Sequence, residues 1–287
     1  MSTAQAGGQA KLASLLPGIL PHFHLPRRIT DHELTVVIPA FNEESRLPAT
    51  LAALRKYLED WRIDYRVLVV DDGSRDGTAE VARPFGRRFS TLVQPQQRGK
   101  GAAVRAGMLH ATGQVVAFTD ADLPYELSTL KLAYRSIRAC ECDVVFGARD
   151  LAGSEIRAKR RLLRTIASGV FRTCMRLLVS REVTDTQCGL KAFSRRAALE
   201  IFSRTTIDGF AFDAEAVFLT HQLEFELRRL PVTLVNEYAS TISLARHALP
   251  MLADVAQVRW RSWKGEYHLD EPPLTIPILE EPARKAA

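Results

Sequence analysis

The sequence lacks any long hydrophobic run. Its purest apolar stretches, such as Leu34–Pro39 and Val67–Val70, fall far short of the roughly 18 to 20 residues that a spanning helix needs, so no transmembrane span is expected. The first ten residues hold no Lys or Arg, and the apolar stretch after Lys11 is broken by Pro17 and Pro21; a secretory leader is not expected either. Cysteine is scarce. Cys140, Cys142, Cys174 and Cys188 are too few and too irregularly placed for a disulfide framework, and none pair with zinc-knuckle spacing, which points to a reducing, cytoplasmic setting. The seven histidines are scattered without metal-ligand spacing, and there are no internal repeats.

What is present is ordinary globular composition: 287 residues, 46% hydrophobic and 25% charged, enough to bury one large core or two smaller ones. Short β-branched runs at Leu34–Pro39, Arg66–Asp71, Thr91–Gln94, Val115–Thr119 and Asp143–Gly147 read as strands. Helical periodicity fills Ser45–Leu58, Thr78–Arg87, Gly101–Ala111 and Glu126–Ala139. This alternation predicts an α/β fold with a mostly parallel central sheet and helices on both faces. Ligands of such a sheet bind beyond the carboxyl ends of its strands. After Gly147 come a long basic helical stretch, a turn-rich segment at Asp185–Gly189, a helix near Phe212–Gln222 and a strand near Phe225–Val232, expected to be woven onto the same sheet. Phe210, Phe212, Phe218 and Cys188 are expected in the core. The expected division is a poorly ordered arm over 1–33, one domain over 34–244, an amphipathic helix over 245–269 and a proline-rich disordered tail over 270–287.

Three clusters carry the chemistry. Val69-Val70-Asp71-Asp72-Gly73-Ser74 ends a strand in two carboxylates that can accept from the ring N–H or ribose hydroxyls of a nucleotide. Val115 to Asp122 is an apolar strand ending in Asp120 and Asp122. Residues i and i+2 of an extended strand share a side, so these two acids predict a divalent cation, Mg²⁺ or Mn²⁺, between protein and phosphate; without a cation they would repel. Between them, Gln97-Arg98-Gly99-Lys100-Gly101 is a glycine-rich turn into a helix, suited to phosphate approach. It has neither the spacing of a P-loop nor the three-glycine dinucleotide fingerprint, which argues against ATPase and NAD chemistry.

Taken with Pro39-Ala40-Phe41-Asn42-Glu43, these clusters resemble glycosyltransferase family 2, with its GT-A nucleotide-diphospho-sugar transferase fold. Phe146-Gly147-Ala148-Arg149, Asp185-Thr186-Gln187-Cys188-Gly189-Leu190-Lys191 and Phe210-Ala211-Phe212-Asp213-Ala214-Glu215 resemble its polyprenyl-phosphate branch, the dolichyl-phosphate β-glucosyltransferases and mannosyltransferases, over about residues 34–262. The resemblance implies an inverting, metal-dependent transfer of a hexose, glucose first and mannose second, from UDP-glucose or GDP-mannose to a polyprenyl phosphate. It implies donor contacts from Pro39, Phe41, Glu43, Asp72, Lys100, Asp120 and Ala121, and a metal on Asp120 and Asp122. Asp122 and Asp185 would then serve the reaction centre and Arg149 the acceptor phosphate. Pro124 stands where many members of the mannosyl branch have Gln.

The net charge of +6 is concentrated: Arg149 to Arg176 holds eight Lys/Arg against two acids. A dianionic acceptor approaching a diphosphate is repelled, and one charge pair at about 4 Å is worth about 4 kcal/mol at an effective dielectric of 20, so Arg149 with one or two of Lys159, Arg161 and Arg164 offsets it. A phosphate monoester has its second pKa near roughly 6 and needs no strong general base, which gives Asp185 a positioning role first and base catalysis second. Trp260 and Trp263 among Arg259, Arg261 and Lys264, or the leucines near 12–20, are candidates for peripheral membrane contact. The alternatives are a soluble or saccharide acceptor, a sugar nucleotidyltransferase, and a non-enzymatic anion- or nucleic-acid-binding protein suggested by the pI of 9.3. Basic residues without interleaved aromatics argue against nucleic acid.

Overall fold

The computed structural model describes residues 32–156, 188–235 and 244–269. In chain order the described elements are β1 (Leu34–Ala40), α1 (Leu47–Trp61), β2 (Tyr65–Asp71), β3 (Phe89–Val93), α2 (Lys100–His110), β4 (Val115–Phe118), α3 (Ser128–Arg138), β5 (Val144–Ala148), β6 (Glu155–Ile156), β7 (Lys191–Ser194), α4 (Arg195–Phe202), α5 (Phe212–Gln222), β8 (Leu227–Pro231), β9 (Thr233–Leu234) and α6 (Leu244–Trp263). Seven strands form one sheet in the order β3-β2-β1-β4-β7-β5-β8. Neighbours pair in parallel except across β7, which runs antiparallel to both β4 and β5. The short strands β6 and β9 pair beside it.

Side-chain alternation sorts β1 between two apolar layers. Val36 and Ile38 join Leu47, Leu51, Leu54 and Leu58 of α1 and Leu130 and Ile137 of α3. Val37 faces the other way, onto Val104 and Met108 of α2, Ile201 of α4 and Phe218 of α5. Fully burying one such Leu or Ile stabilises the fold by roughly 1.5–3 kcal/mol, so a one-residue slip of β1 would forfeit several such terms at once. The chain leaves β1 toward β2 and β3 and then returns to β4 on its other flank. This reversal opens a crevice at the carboxyl ends of β1 and β4, where open α/β sheets bind ligands.

Two segments differ from the expectations. Residues 78–87 do not form one helix but two short 3₁₀ turns, Gly77–Glu80 and Arg83–Phe85. Pro84 lies inside the second turn, where it lacks an N–H to donate, and Gly86 ends that turn with a positive φ of 87°. The turn-rich reading around 185–189 missed β7 and α4, which follow it; Ser194 starts α4 by accepting from the Ala197 N–H at 3.2 Å.

The carboxyl-terminal segment joins the core through Val255, Val258 and Tyr267. Trp260 and Trp263 of the same helix stand outside it, 55% and 79% exposed. Phe212, Phe218 and Cys188 are buried, whereas Phe210 is only half-buried, a departure from its expected core position. Among the described residues, no helix is long and apolar enough to cross a membrane.

Candidate active site

The loops after β1, β2 and β4 meet at the crevice. Asn42, with a left-handed φ of 54°, laces the first to the second: its N–H donates to Ser74 Oγ at 2.9 Å and its Oδ1 accepts from the Arg75 N–H at 2.9 Å. The Glu43 N–H donates to Thr78 Oγ1 at 2.8 Å. Asp71 turns back on the Ser74 N–H and hydroxyl. The loop after β4 is held from α1, where Thr50 Oγ1 donates to the Ala121 carbonyl at 2.5 Å. Leu123, next to Asp122, has a φ of 41°. Backbone strain in a non-glycine residue of this kind persists only where its surroundings over-determine it.

The glycine turn is not the open phosphate cradle that its sequence suggested. Asp72 is 4% exposed and spends its carboxylate on the turn, accepting from the N–H groups of Arg98 at 2.9 Å and Gly99 at 2.8 Å. The N–H groups of Gly101 and Ala102 donate to the Asp208 carbonyl at 2.8 and 3.3 Å. A Cβ at Gly101 would lie 2.4 Å from the Ile207 carbonyl oxygen; that close approach is what the glycine serves. The amides are therefore consumed by packing within the protein. The Lys100 side chain faces the acids instead, with Nζ 2.6 Å from Asp120 Oδ1.

Around Lys100 the charges form a network. Burial by itself lowers the Lys100 pKa, but the carboxylates of Asp120, Asp213 and Asp122 outweigh it and the net shift is upward, so the ammonium stays charged. Burial first and Asp120 second raise the Asp122 pKa, against weaker pulls from Arg46 and Lys100. Glu43 is raised by burial and by Asp122 and Asp76, although Arg46 sits 3.3 Å away and opposes the shift. Asp72 is raised by its burial, with the two N–H donors pulling the other way. A Cβ at Gly189 would stand 1.9 Å from Asp120 Oδ2, so this glycine leaves room for the carboxylate.

Behind the crevice, Lys191 of β7 is buried in the sheet between Phe118 of β4 and Phe146 of β5. Its Nζ lies 5.1 and 5.0 Å from those ring centroids, 2.5 Å from the Cys188 carbonyl and 2.8 Å from Asp213 Oδ1. Asp213 is in the first turn of α5, where the helix dipole favours a carboxylate. Burial raises its pKa while Lys191 and Lys100 pull it down. Burial first, and then the Cys188 thiol, push the Tyr125 pKa well above the usual tyrosine range, with half-buried Arg149 pulling the other way.

Of the residues expected at the site, Glu43, Lys100, Asp120 and Asp122 come together; buried Pro39 lies near the end of β1, and half-buried Phe41 and buried Ala121 lie on the loops after β1 and β4. Asp72 sits behind the glycine turn. Asp185, Lys159, Arg161 and Arg164 lie outside the described residues. Gly189, Lys191 and Asp213 lie within the motifs without an expected role; for Lys191 and Asp213 the signal is a charge standing in a short strand and a largely apolar helix. Arg46 and Asp208 lay outside those motifs.

No three His, Cys, Asp or Glu side chains gather as a metal cage among the described residues. The donor set still fits Mg²⁺, which binds through one or two carboxylates together with substrate phosphates. Lys100 pairs with Asp120, while burial and then Asp120 raise the Asp122 pKa, and burial with Asp122 and Asp76 raises that of Glu43, crowding of negative charge that a cation would relieve.

A strand-order reversal with paired acids and a lysine at its carboxyl edge is where an α/β sheet presents its ligand site. Residues 35–202 match Glycosyl transferase family 2. A dolichyl-phosphate beta-glucosyltransferase of Dictyostelium discoideum is 31% identical over 81% of this chain and 75% of that protein; its Drosophila melanogaster counterpart is 34% identical over 70% and 66%. A crystal structure of Mycobacterium tuberculosis glucosyl-3-phosphoglycerate synthase, in complex with Mn²⁺, UDP and phosphoglyceric acid, superposes with a TM-score of 0.59 at 20% identity, covering 81% of this chain and 78% of that one. The chain belongs to glycosyltransferase family 2 and has the GT-A fold; it is a glycosyltransferase.

Proposed function

We propose that the protein transfers a hexose, glucose first and mannose second, from a nucleotide sugar to a polyprenyl phosphate, with inversion at the anomeric carbon. The observation that carries the acceptor and the sugar is the 31% identity, over most of both chains, to a dolichyl-phosphate beta-glucosyltransferase. A β-linked product from an α-linked donor such as UDP-glucose requires one inverting displacement. An acceptor phosphate oxygen forms the new bond to the anomeric carbon as the bond to the nucleoside diphosphate breaks.

Asp120 and Asp122 would hold a Mg²⁺ or Mn²⁺ ion, which supplies Lewis-acid charge to the departing diphosphate. Lys100 adds a fixed positive charge on the same side, preorganised by Asp120. Glu43 and Phe41 stand on the loop after β1, and Pro39 near the end of that strand, where they would border the nucleoside. Asp72 supports the site from behind by holding the turn that carries Lys100. On the acceptor side, Arg149 would face the phosphate, joined by Lys159, Arg161 and Arg164, and Asp185 would orient it. A phosphate acceptor is already mostly dianionic at neutral pH, so these residues have charge to balance rather than a proton to remove. The exposed Trp260 and Trp263, whose ring centroids lie 5.5 Å apart with Lys264 Nζ 5.0 Å from the Trp260 ring, suit a peripheral contact with the cytoplasmic membrane face.

The test is label transfer from UDP-glucose and from GDP-mannose to a short polyprenyl phosphate, with Mg²⁺ or with EDTA. Metal-dependent label in the organic phase from UDP-glucose is the expected result. Label that reaches only a water-soluble acceptor would overturn the acceptor assignment, and EDTA-resistant transfer would overturn the metal.

A further inference from the structure

Glu215 is completely buried in α5, two residues after Asp213 and away from the strand ends that carry the acid pair. Its carboxylate is saturated by four donors. The Thr206 N–H at 2.9 Å, the Thr206 hydroxyl at 2.7 Å, the Ile207 N–H at 2.9 Å and the Tyr267 hydroxyl at 2.9 Å all point to it. A buried carboxylate with this many partners is expensive to place, and what it holds is a loop. That loop, 206–209, has no helical or strand hydrogen bonds of its own, so Glu215 stands in for them.

The loop in turn holds the glycine turn. The Asp208 carbonyl takes the N–H groups of Gly101 and Ala102, and the Asp208 carboxylate pairs with Arg98, at 3.0 Å, and with Arg105. Arg105 also donates to the Thr205 carbonyl at 3.1 Å. Cβ atoms at Gly99 and Gly101 would come within 2.5 Å of the Asp208 and Ile207 carbonyl oxygens. The backbone that carries Lys100 is thus pressed against a surface whose shape Glu215 sets. Two contacts reach the same loop from the carboxyl-terminal segment: Tyr267 through Glu215, and Arg261 through the Thr206 hydroxyl.

We propose that Glu215 is a positioning residue for the turn bearing Lys100, and that Tyr267 makes the segment after α6 part of that brace. The proposal rests on the reading that Lys100 meets the donor diphosphate. Tyr267 suits the role: burial first, and then the Glu215 carboxylate, push its pKa above the usual tyrosine range, so it remains an O–H donor at working pH. Its ring lies 5.8 Å from Phe218, a contact that Tyr267→Phe preserves while removing only the hydroxyl.

The experiment titrates the full chain with UDP and with GDP, each with Mn²⁺, by calorimetry. It follows nucleotide-sugar KM, acceptor KM, kcat and Tm for the same proteins. Tyr267→Phe is expected to weaken nucleotide binding by roughly three- to tenfold, the scale of a typical intramolecular hydrogen bond's net contribution, and to raise the nucleotide-sugar KM by the same factor with kcat and acceptor KM unchanged. Glu215→Gln, which keeps the shape but cannot accept from all four donors, is expected to weaken binding further. Ile63→Val, buried in the opposite apolar layer, controls for mild destabilisation and should lower Tm without moving the nucleotide Kd. An unchanged Kd in Tyr267→Phe, or an equal weakening in Ile63→Val, would overturn the proposal. If the unmodified chain binds neither nucleotide, the donor reading fails first and this proposal falls with it. Should Glu215→Gln fail to fold, Tyr267→Phe alone decides.

Discussion

The two halves of the sheet are built by different physics. From β1 to β4 the strands are parallel and mostly apolar, and the acids at the end of β2 are satisfied by neighbouring loops: Asp71 by Ser74, Asp72 by Arg98 and Gly99. From Cys188 onward the chain buries charge. Lys191 and Asp213 form an ion pair inside the sheet, Glu200 and Arg204 pair across one helical turn at 2.6 Å, and Glu215 anchors a loop. The first half supplies a floor of strand ends that any α/β fold of this order would make. The second supplies the countercharges and braces that decide where the acids and Lys100 stand. Buried charge is a poor route to stability; here Lys191, Asp213 and Glu215 tie together the segments that pack behind the site.

The comparison can be broken most sharply at the floor. Asp122→Asn is expected to lower transfer by at least about a hundredfold, the scale of losing one electrostatic stabiliser of the transition state. Its raised pKa means that the protonated form is the one the fold favours. Whatever stability the group contributes is present at low pH and lost as pH rises through its folded pKa, so a neutral Asn leaves Tm at pH 7 unchanged or higher. Preserved turnover in a radiolabel assay would remove the metal assignment.

In the second half the order of losses reverses, with stability going first. Lys191→Met, which strands Asp213 as a buried acid, is expected to cost about 3–5 kcal/mol in urea unfolding. Replacing both partners together, Lys191→Met with Asp213→Leu, should recover part of that loss. A single variant that unfolds at the wild-type midpoint would show the pair to be dispensable. Gly101→Ala sits where the halves meet, and the new methyl must displace the Ile207 carbonyl; a loss of roughly 1–3 kcal/mol is the usual scale for overpacking, with a weakened nucleotide Kd beside it. The smallest effect belongs to Trp260→Ala with Trp263→Ala. Both side chains are exposed, so stability should change by no more than about 0.5 kcal/mol, while co-sedimentation with anionic lipid vesicles should fall. Unchanged sedimentation would remove the membrane contact.

Legibility follows the same division. The periodicity placed β1 through β5 within about two residues of their observed limits; β1, β4 and β5 are buried on both faces and read as nearly continuous apolar sequence, while β2 and β3 are partly exposed. The helix expected near Phe212–Gln222 has those bounds. Thr78–Arg87 misled because its apolar spacing is helical while Pro84 and the flanking glycines interrupt it. β7 was invisible because Lys191-Ala192-Phe193-Ser194 opens on a lysine and is only four residues long. A lysine in mid-sheet makes sense only once Phe118, Phe146 and Asp213 surround it. The glycine turn was located correctly, but its amides were assigned to a ligand that they do not face, because the loop they bind lies more than a hundred residues downstream.

By itself the sequence determined the class of fold, the family and the positions of the acids and the lysine that meet at the crevice. These follow from local pattern: apolar periodicity chooses strand or helix, and strand ends in an α/β sheet face the ligand. Tertiary structure alone decided that Asp72 works from behind the turn, that Lys191 is buried with Asp213, and that Glu215 and Tyr267 reach the turn through loop 206–209. A side chain's charge is written in the sequence, but whether it meets water, a carboxylate or a backbone amide depends on which distant segment folds against it.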